Sequence, residues 1–477
     1  MTTLAAYYGG FAPISRFPAE LLIEIFSHNS SVSILDRDTE LWTELDRLAN
    51  VGLLTLSQVC SRWHSIVFDT PRLWSVLPLH GVLWRTPFGL AKTIALLSAA
   101  LARSRNAPLS VAIFESLAPQ SGTMTTHHPV FQLLAQHSHR WRSANFTFSM
   151  ANIDFSCLKG KLPLLRSLRI IPLTMPRPPH TVDFFVGASQ LKNLTFSAAA
   201  LDTISTIVPI PQLTEFGCWG VTPDTAACAL SLASKLPWGA RLFLSLFFDV
   251  QLADTTQPTP LHISPTSLTI SCLEILSFHH PHATSQPLGH IFESLTLPNL
   301  EELTLKYHRR PLILEWPHEQ FLRLCERSAF PLCLNVLRIV NLCIPERELI
   351  QVLSVLHTLE HLEIMEGNGD SGADSSDFLI TDNVLRALTF PARRLIPRLR
   401  HFACDSHWQQ QCACNVFVDF VKSRLEESAS SIFRVEIWSP PDGDETLSCA
   451  ASFHARLQDL AADSKGTLLY DLTARVV

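Results

Sequence analysis

This sequence is short of charge. Aspartate, glutamate, lysine and arginine make up 17% of its 477 residues, against 47% hydrophobic. So small a charged share excludes wholesale disorder, since a chain this apolar can bury enough surface to offset its conformational entropy. No long basic block occurs, and 43 acidic residues against 37 basic ones leave a formal net charge of -6. Neither feature favours nucleic acid as a partner. Long apolar runs are missing too. The most apolar stretch, Leu242 to Val250 (LFLSLFFDV), is far short of the ~20 residues of a membrane span, so no membrane is expected. The opening MTTLAAYYGGFAPISRF lacks the basic start and apolar core of a signal peptide. The 12 cysteines follow no repeated spacing. In a chain without a secretory signal they read as buried free thiols rather than disulfides, and cytoplasm or nucleus is the expected compartment.

Motifs of chemistry are equally scarce. There is no G-x-x-x-x-G-K-[ST] loop and no G-x-G-x-x-G, so nucleotide binding has no support. Gly369 to Gly372 (GDSG) resembles the surroundings of a protease serine, but no matching His motif accompanies it. His279, His280 and His282 with Cys272, or Cys412 and Cys414 with His401 or His407, lack the doubled two-to-four-residue spacing of a structural zinc site. The expectation is no catalytic residue, no metal, no cofactor and no enzyme.

What is present starts with helices. Residues 1–13 read as a loose tail. Pro18 stands where a helix would begin, Ser15 precedes it as a cap, and Glu20 favours the first turn. Leu21, Leu22, Ile25 and Phe26 recur at helical spacing as one stripe, ending in the polar cluster Ser27 to Ser31. Residues 36–50 place Leu41, Leu45 and Leu48 on one face of an extra helix. A second major helix is predicted from Leu53 to Phe68, with Leu56, Val59, Cys60, Trp63, Ile66 and Val67 on one face. Thr70 and Pro71 then restart a helix, and Leu73 and Trp74 pack back on it. Periodicity alone also fits a plain helical bundle.

The placed residues say more. The pattern I-x-x-[LF]-P-x-E-L-L-x-x-I-F, then V-C-x-x-W-x-x-[IV], then T-P-x-L-W is met by Ile14 to Phe26, Val59 to Val67 and Thr70 to Trp74. Together these segments resemble the F-box, in the form common among fungal F-box proteins, with Phe17 where Leu is usual and an insert over 27–52. The resemblance covers residues 14–75. It implies docking of an Skp-type adaptor, and through it a cullin–RING ubiquitin ligase. Phe17, Pro18, Leu21, Leu22, Ile25, Phe26, Val59, Cys60, Trp63 and Trp74 are its candidate adaptor-binding residues. The pattern does not separate those facing the adaptor from those packing the domain, though Trp63 is expected to be mainly internal.

Beyond a linking helical segment over 76–107, containing a helix from Leu90 to Arg103 and then a short strand to Phe114, a repeat runs over 108–477. Its unit is apolar-x-x-apolar-x-apolar: Trp141, Ala144, Phe146; Leu165, Leu168, Ile170; Leu191, Leu194, Phe196; Leu213, Phe216, Cys218; Leu273, Leu276, Phe278. It continues through Leu300, Leu303, Leu305; Leu334, Leu337, Ile339; Leu359, Leu362, Ile364; Leu399, Phe402, Cys404; and closes at Ile432, Val435, Ile437. Five of the nine intervals lie between 22 and 27 residues, and the longest, 60, hides a further unit around Arg241 to Leu246. This resembles an irregular leucine-rich-repeat array. His308, Leu342 and Gly367 stand where its asparagine is usual. Helices are predicted at Val182 to Ala188, Asp224 to Leu236, Glu319 to Arg327, Glu346 to Leu356, Asp382 to Leu388 and Val416 to Glu427.

The fold class expected is therefore α/β: an N-terminal helical F-box, then a curved solenoid with a parallel β-sheet and outer helices. An ordinary α/β domain fits the alternation as well. Gly367 to Asp377 (GNGDSGADSSD) is a polar, acidic loop insertion. The function expected is a substrate-recognition subunit that binds a protein target of unknown identity through the array. The alternative is an F-box or repeat scaffold without ubiquitin transfer.

Overall fold

The computed structural model describes residues 14, 17–30, 49–84, 86–114, 128–148, 155–172, 187–201, 204, 208–247, 265–278, 287–307, 316–366, 379–389, 395–405, 414–427, 432–439, 448–464 and 468–474. The chain divides into two compact units between Asn193 and Leu194.

The first unit opens with α1 (Ala19–Ser30), α2 (Ala49–Ser57) and α3 (Ser61–Asp69). Pro18 precedes α1 and its carbonyl accepts from Leu22 N at 3.2 Å, the first turn of the helix. The single helix predicted from Leu53 to Phe68 is in fact two. Cys60 breaks it: its backbone is extended, and its Sγ accepts from Trp63 N at 3.4 Å. The thiol takes the place of an N-cap hydroxyl, so a fresh helix starts at Ser61. Of the helix predicted over 36–50, only Ala49 and Asn50 lie within the described residues, and they open α2. Thr70 and Pro71 do restart the chain, as a 3-10 turn over Pro71–Trp74 with Leu73 and Trp74 buried.

The sheet begins earlier than the repeat pattern indicates. β1 (Val76–His80) is followed by α4 (Pro87–Arg103), β2 (Leu109–Phe114), α5 (Pro129–Gln136), β3 (Trp141–Phe148) and β4 (Ser167–Pro172). The four strands pair in parallel and in chain order. Leu77, Val111, Ala144 and Leu168 fall in one cross-strand column and Leu79, Ile113, Phe146 and Ile170 in the next, all buried. The x-apolar-x-apolar core thus becomes two columns of one face, as period-two alternation requires. Thr86 caps α4, its Oγ1 accepting from Gly89 N at 3.0 Å, and Pro87 sits in the first turn, so the helix starts three residues before Leu90.

In the second unit β5 (Asn193–Ser197), which opens at the boundary, β6 (Glu215–Val221), β7 (Arg241–Phe247), β9 (Cys272–Phe278), β11 (Glu302–Tyr307), β12 (Val336–Val340), β13 (His361–Met365), β14 (His401–Asp405), β15 (Phe433–Ser439) and β16 (Leu468–Ala474) follow one another in the sheet. β8 (Thr266–Ser267) and β10 (Leu295–Thr296) form a separate parallel pair. The expected hidden unit is β7. The helices Pro223–Ala233, His318–Arg327, Glu346–Val355, Asp382–Leu388 and Cys414–Glu427 return the chain between strands where helices are predicted. The one predicted at Val182 to Ala188 lies largely outside the described residues, and the acidic insertion with its GDSG lies wholly outside them. The α/β class therefore holds: N-terminal helices, then parallel strands alternating with helices in the order of a stacked repeat.

One unit is corrected in register. Leu273, Leu276 and Phe278 were the expected inward triple, but the sheet aligns Leu273 with Leu242 and Leu303, and Ile275 with Leu244 and Leu305. The triple is Ile270, Leu273 and Ile275, all buried. The run ISCLEILSF carries two overlapping copies of the pattern, and the neighbouring strands select the earlier. The series also closes later than Ile437, with helix Ser448–Asp463 and β16, whose Tyr470 and Leu472 lie beside Val435 and Ile437.

Three arginines hold the ends of these units. Arg140 donates to Ala107 O and Ser104 O, Arg327 to Phe292 O, Glu293 O and Leu295 O, and Arg424 to Ile396 O, Leu388 O and Leu395 O. Each spreads a fixed fork of donors over two or three backbone carbonyls. Asn341 does the corresponding work within the sheet. At φ 56° it donates Nδ2 to Tyr307 O at 3.2 Å and its N–H to Met365 O at 2.7 Å. It stands one place before the position where the repeat's asparagine was sought.

Candidate interaction site

The helical stripe of α1 is really two stripes. Leu22 and Phe26, four apart, are fully buried, whereas Leu21 and Ile25, also four apart, are 51% and 43% exposed. A helix turns about 100° per residue, so adjacent positions part company at the edge of the core. Phe26 meets Trp63 edge-on with ring centroids 4.9 Å apart. Trp74 is locked from three sides. Its Nε1 donates to Val67 O at 2.7 Å, Phe68 lies 5.7 Å away, and the Arg103 guanidinium lies 4.6 Å over its ring. Arg72 joins the 3-10 turn to α1 through Glu24 at 2.7 Å.

Leu22, Phe26 and Trp74, three of the candidate residues, are buried in the domain core. Trp63, expected to be mainly internal, is half-buried. Phe17, Pro18, Leu21, Ile25, Val59 and Cys60 are exposed. Ile14, not among the predicted residues, is exposed beside them, its carbonyl accepting from Phe17 N at 3.2 Å. Arg62 donates to Phe17 O, which brings the Val59–Cys60 turn to the start of α1. The break at Cys60 is what leaves Val59 59% exposed instead of on a helix face. The result is an apolar strip of Ile14, Phe17, Leu21, Ile25 and Val59, the kind of surface that marks an interaction site. Sequence periodicity places these residues near one another, but the inward and outward pairs are chemically alike.

The second unit carries a different feature on the sheet face away from the leucine columns. Glu302 lies 3.7 Å from Arg241 and 3.4 Å from Arg338. Arg338 reaches Glu363 at 3.2 Å, and Glu363 lies 3.7 Å from His361. The rings of His361 and His401 are 4.0 Å apart, His401 lies 3.5 Å from Glu436, and Glu436 pairs with Arg434 at 2.6 Å. The chain of contacts runs without interruption from β7 to β15.

Three buried cysteines of this unit are held in the thiol form. Burial pushes the Cys272 thiol up to about 11, against the pull of Arg241 and with Glu302 adding to the rise. Burial likewise pushes Cys325 up to about 12 and Cys218 higher still. Thiols held protonated are neither nucleophiles nor metal ligands. Among the described residues no three His, Cys, Asp or Glu side chains converge as a metal site requires. His279, His280, His282, His407 and Cys412 lie outside them. Among the described helices none is long and apolar enough to cross a membrane.

No curated protein matches the chain. A protein-family model described as F-box-like matches residues 14–77, which takes in α1 to α3, the Pro71–Trp74 turn and the start of β1. The chain thus carries an F-box-like domain over those residues, and the exposed strip of Ile14, Phe17, Leu21, Ile25 and Val59 is a surface of that domain.

Proposed function

We propose that this protein is the substrate-recognition subunit of a Skp–cullin–F-box ubiquitin ligase. The observation that carries the reading is the apolar strip left uncovered on an F-box-like domain. F-box domains bind Skp-type adaptors, and Phe17, Leu21, Ile25 and Val59 give such an adaptor an apolar helical edge to cover, as helix-in-groove interfaces do. The repeat units hold a protein target. The protein then contributes proximity: it keeps the target beside a ubiquitin-charged enzyme, while bond-making belongs to other subunits. It is not itself an enzyme in this reading, needs no cofactor, and works in the cytoplasm or nucleus.

The test is binding of a purified Skp-type adaptor to the full chain. Leu22 is unsuitable as a site of substitution, because a charge at a fully buried position would unfold the domain. Leu21→Arg with Ile25→Arg alters only the exposed pair. Covering two such side chains contributes about 1–2 kcal/mol each and an arginine there adds desolvation, so binding should weaken by about 100-fold or more. Circular dichroism should not change. Undiminished binding by the folded double variant would remove the strip from the reading.

A further inference from the structure

The contact chain on the second unit alternates in sign except at one place. Arg241, Glu302, Arg338 and Glu363 succeed one another from β7 to β13, and Glu436 and Arg434 end the chain on β15. Between the two carboxylates Glu363 and Glu436 stand only the two imidazoles, His361 and His401, in register on neighbouring parallel strands. Each ring has its Nε2 turned to a carboxylate, at 3.7 Å for Glu363 and 3.5 Å for Glu436. Those carboxylates are already held by guanidinium groups, and both Nε2 atoms are shut off from solvent.

We propose that the His361–His401 pair is a proton-operated link in this ladder. On acidification the pair takes up a single proton, and the charged ring donates from Nε2 to Glu363 or Glu436.

The geometry explains why one proton enters and not two. Rings 4.0 Å apart cannot both be charged without strong repulsion. The groups facing them are Arg338 on β12, Glu363 on β13, and Arg434 and Glu436 on β15; each guanidinium is paired with one of the carboxylates, so the local field is nearly balanced. Burial first, then His361 and Arg434, hold His401 down to about 4, with Glu363 opposing. Such a pair titrates in two macroscopic steps that belong to it jointly. The switch does not depend on what the repeat units bind, so it stands apart from the ligase reading.

The test is histidine-selective ¹³C labelling of the full chain, with ring shifts followed by NMR between pH 8 and 4. His361→Asn and His401→Asn assign the signals. In the wild type one ring should respond well before the other, their midpoints separated by at least about one pH unit. In His361→Asn the His401 midpoint should move upward, because a competing charge has gone. Glu363→Gln serves as a second variant and should move the His401 midpoint downward, because Glu363 raises it. Midpoints that coincide in the wild type, or a His401 midpoint that His361→Asn leaves in place, would overturn the proposal. If either asparagine variant fails to fold, the wild-type separation and the Glu363→Gln shift decide it.

Discussion

Replacing Arg424 by alanine should be among the most damaging single changes in the second unit. The side chain is buried, 3% exposed, and its guanidinium donates to Ile396 O at 2.8 Å, Leu388 O at 2.6 Å and Leu395 O at 3.0 Å. Hydrogen bonds to a charged group are worth about 1.5–3 kcal/mol each, which sets an upper bound of about 5–9 kcal/mol for three. Water entering the vacated space would satisfy part of what is lost, and the charge itself is costly to bury, so about 3–5 kcal/mol is the expected net loss. With a urea dependence of about 3 kcal/mol per molar, the midpoint should fall by about 1–1.7 M. Repeat units open locally, so the assay should pair urea unfolding with hydrogen exchange across helix Cys414–Glu427. Arg424→Lys should recover only a fraction, because one ammonium cannot reproduce a planar fork spanning three carbonyls. Arg386→Ala is the control: its pair with Asp382 at 3.2 Å is exposed, and its loss should stay within about 0.5 kcal/mol. A midpoint shift for Arg424→Ala no larger than that of Arg386→Ala would refute the idea that these carbonyls depend on the arginine.

Phe26→Ala empties a buried ring site against Trp63 and should cost about 3–4 kcal/mol, read as lost helical circular dichroism and, through unfolding, lost adaptor binding. Gly217→Ala would place a Cβ 2.5 Å from Thr195 Oγ1 and 2.8 Å from its Cγ2. A loss of about 1–3 kcal/mol is expected, and Thr195→Ala in the same chain should restore most of it in a double-mutant cycle. His401 has a lower pKa folded than unfolded, so below about pH 6.5 the unfolded chain takes the proton first. Its stabilisation is full above that pH and is lost towards the folded value of about 4. The slope it contributes approaches about 1.4 kcal/mol per pH unit. His128, His137 and His454 are lowered as well and act in the same sense. The measurement is therefore the difference between wild type and His401→Asn in urea at pH 7 and 5, where the variant should lose less stability.

Helix starts were legible at some of the hydroxyls and prolines that mark them, though not at Thr86 and Pro87, which start α4 ahead of the predicted Leu90, nor at Pro129, which opens α5. Thr381, whose Oγ1 accepts from Val384 N at 3.2 Å, starts its helix where the sequence places it. A cysteine acting as a cap was not legible, because Cys60 does through Sγ what a serine does through Oγ. The leucine columns were legible because only one alternation satisfies a buried face. They failed where two alternations overlap, at Ile270 to Phe278, and there the register came from neighbouring strands far away in sequence. β1 was hidden by Pro78, which argues against a central strand; it is tolerated because, among the described strands, β1 pairs only with β2. β16 was hidden because Tyr470 fills a leucine's place. The charge ladder escaped entirely. Its partners on different strands lie 25 to 61 residues apart along the chain, from Arg338 and Glu363 to Arg241 and Glu302, and only strand stacking joins them.

The division within α1 bears most directly on function. Leu21 and Leu22 are the same residue one step apart, yet one is half uncovered and the other wholly inside. Leu22 and Phe26 make their contribution when the domain folds. Leu21, Ile25, Phe17 and Val59 make theirs only when something covers them, and until then their hydration is unfavourable. Folding alone does not require that strip, since Leu22, Phe26, Leu53, Val67, Leu73 and Trp74 already form the domain's buried set. The two sets interleave on one short helix, so a change of face by a single residue separates loss of binding from loss of fold. A strip placed there for packing would show the opposite: arginine at Leu21 and Ile25 would destabilise the domain and leave the binding of the surviving folded fraction unchanged.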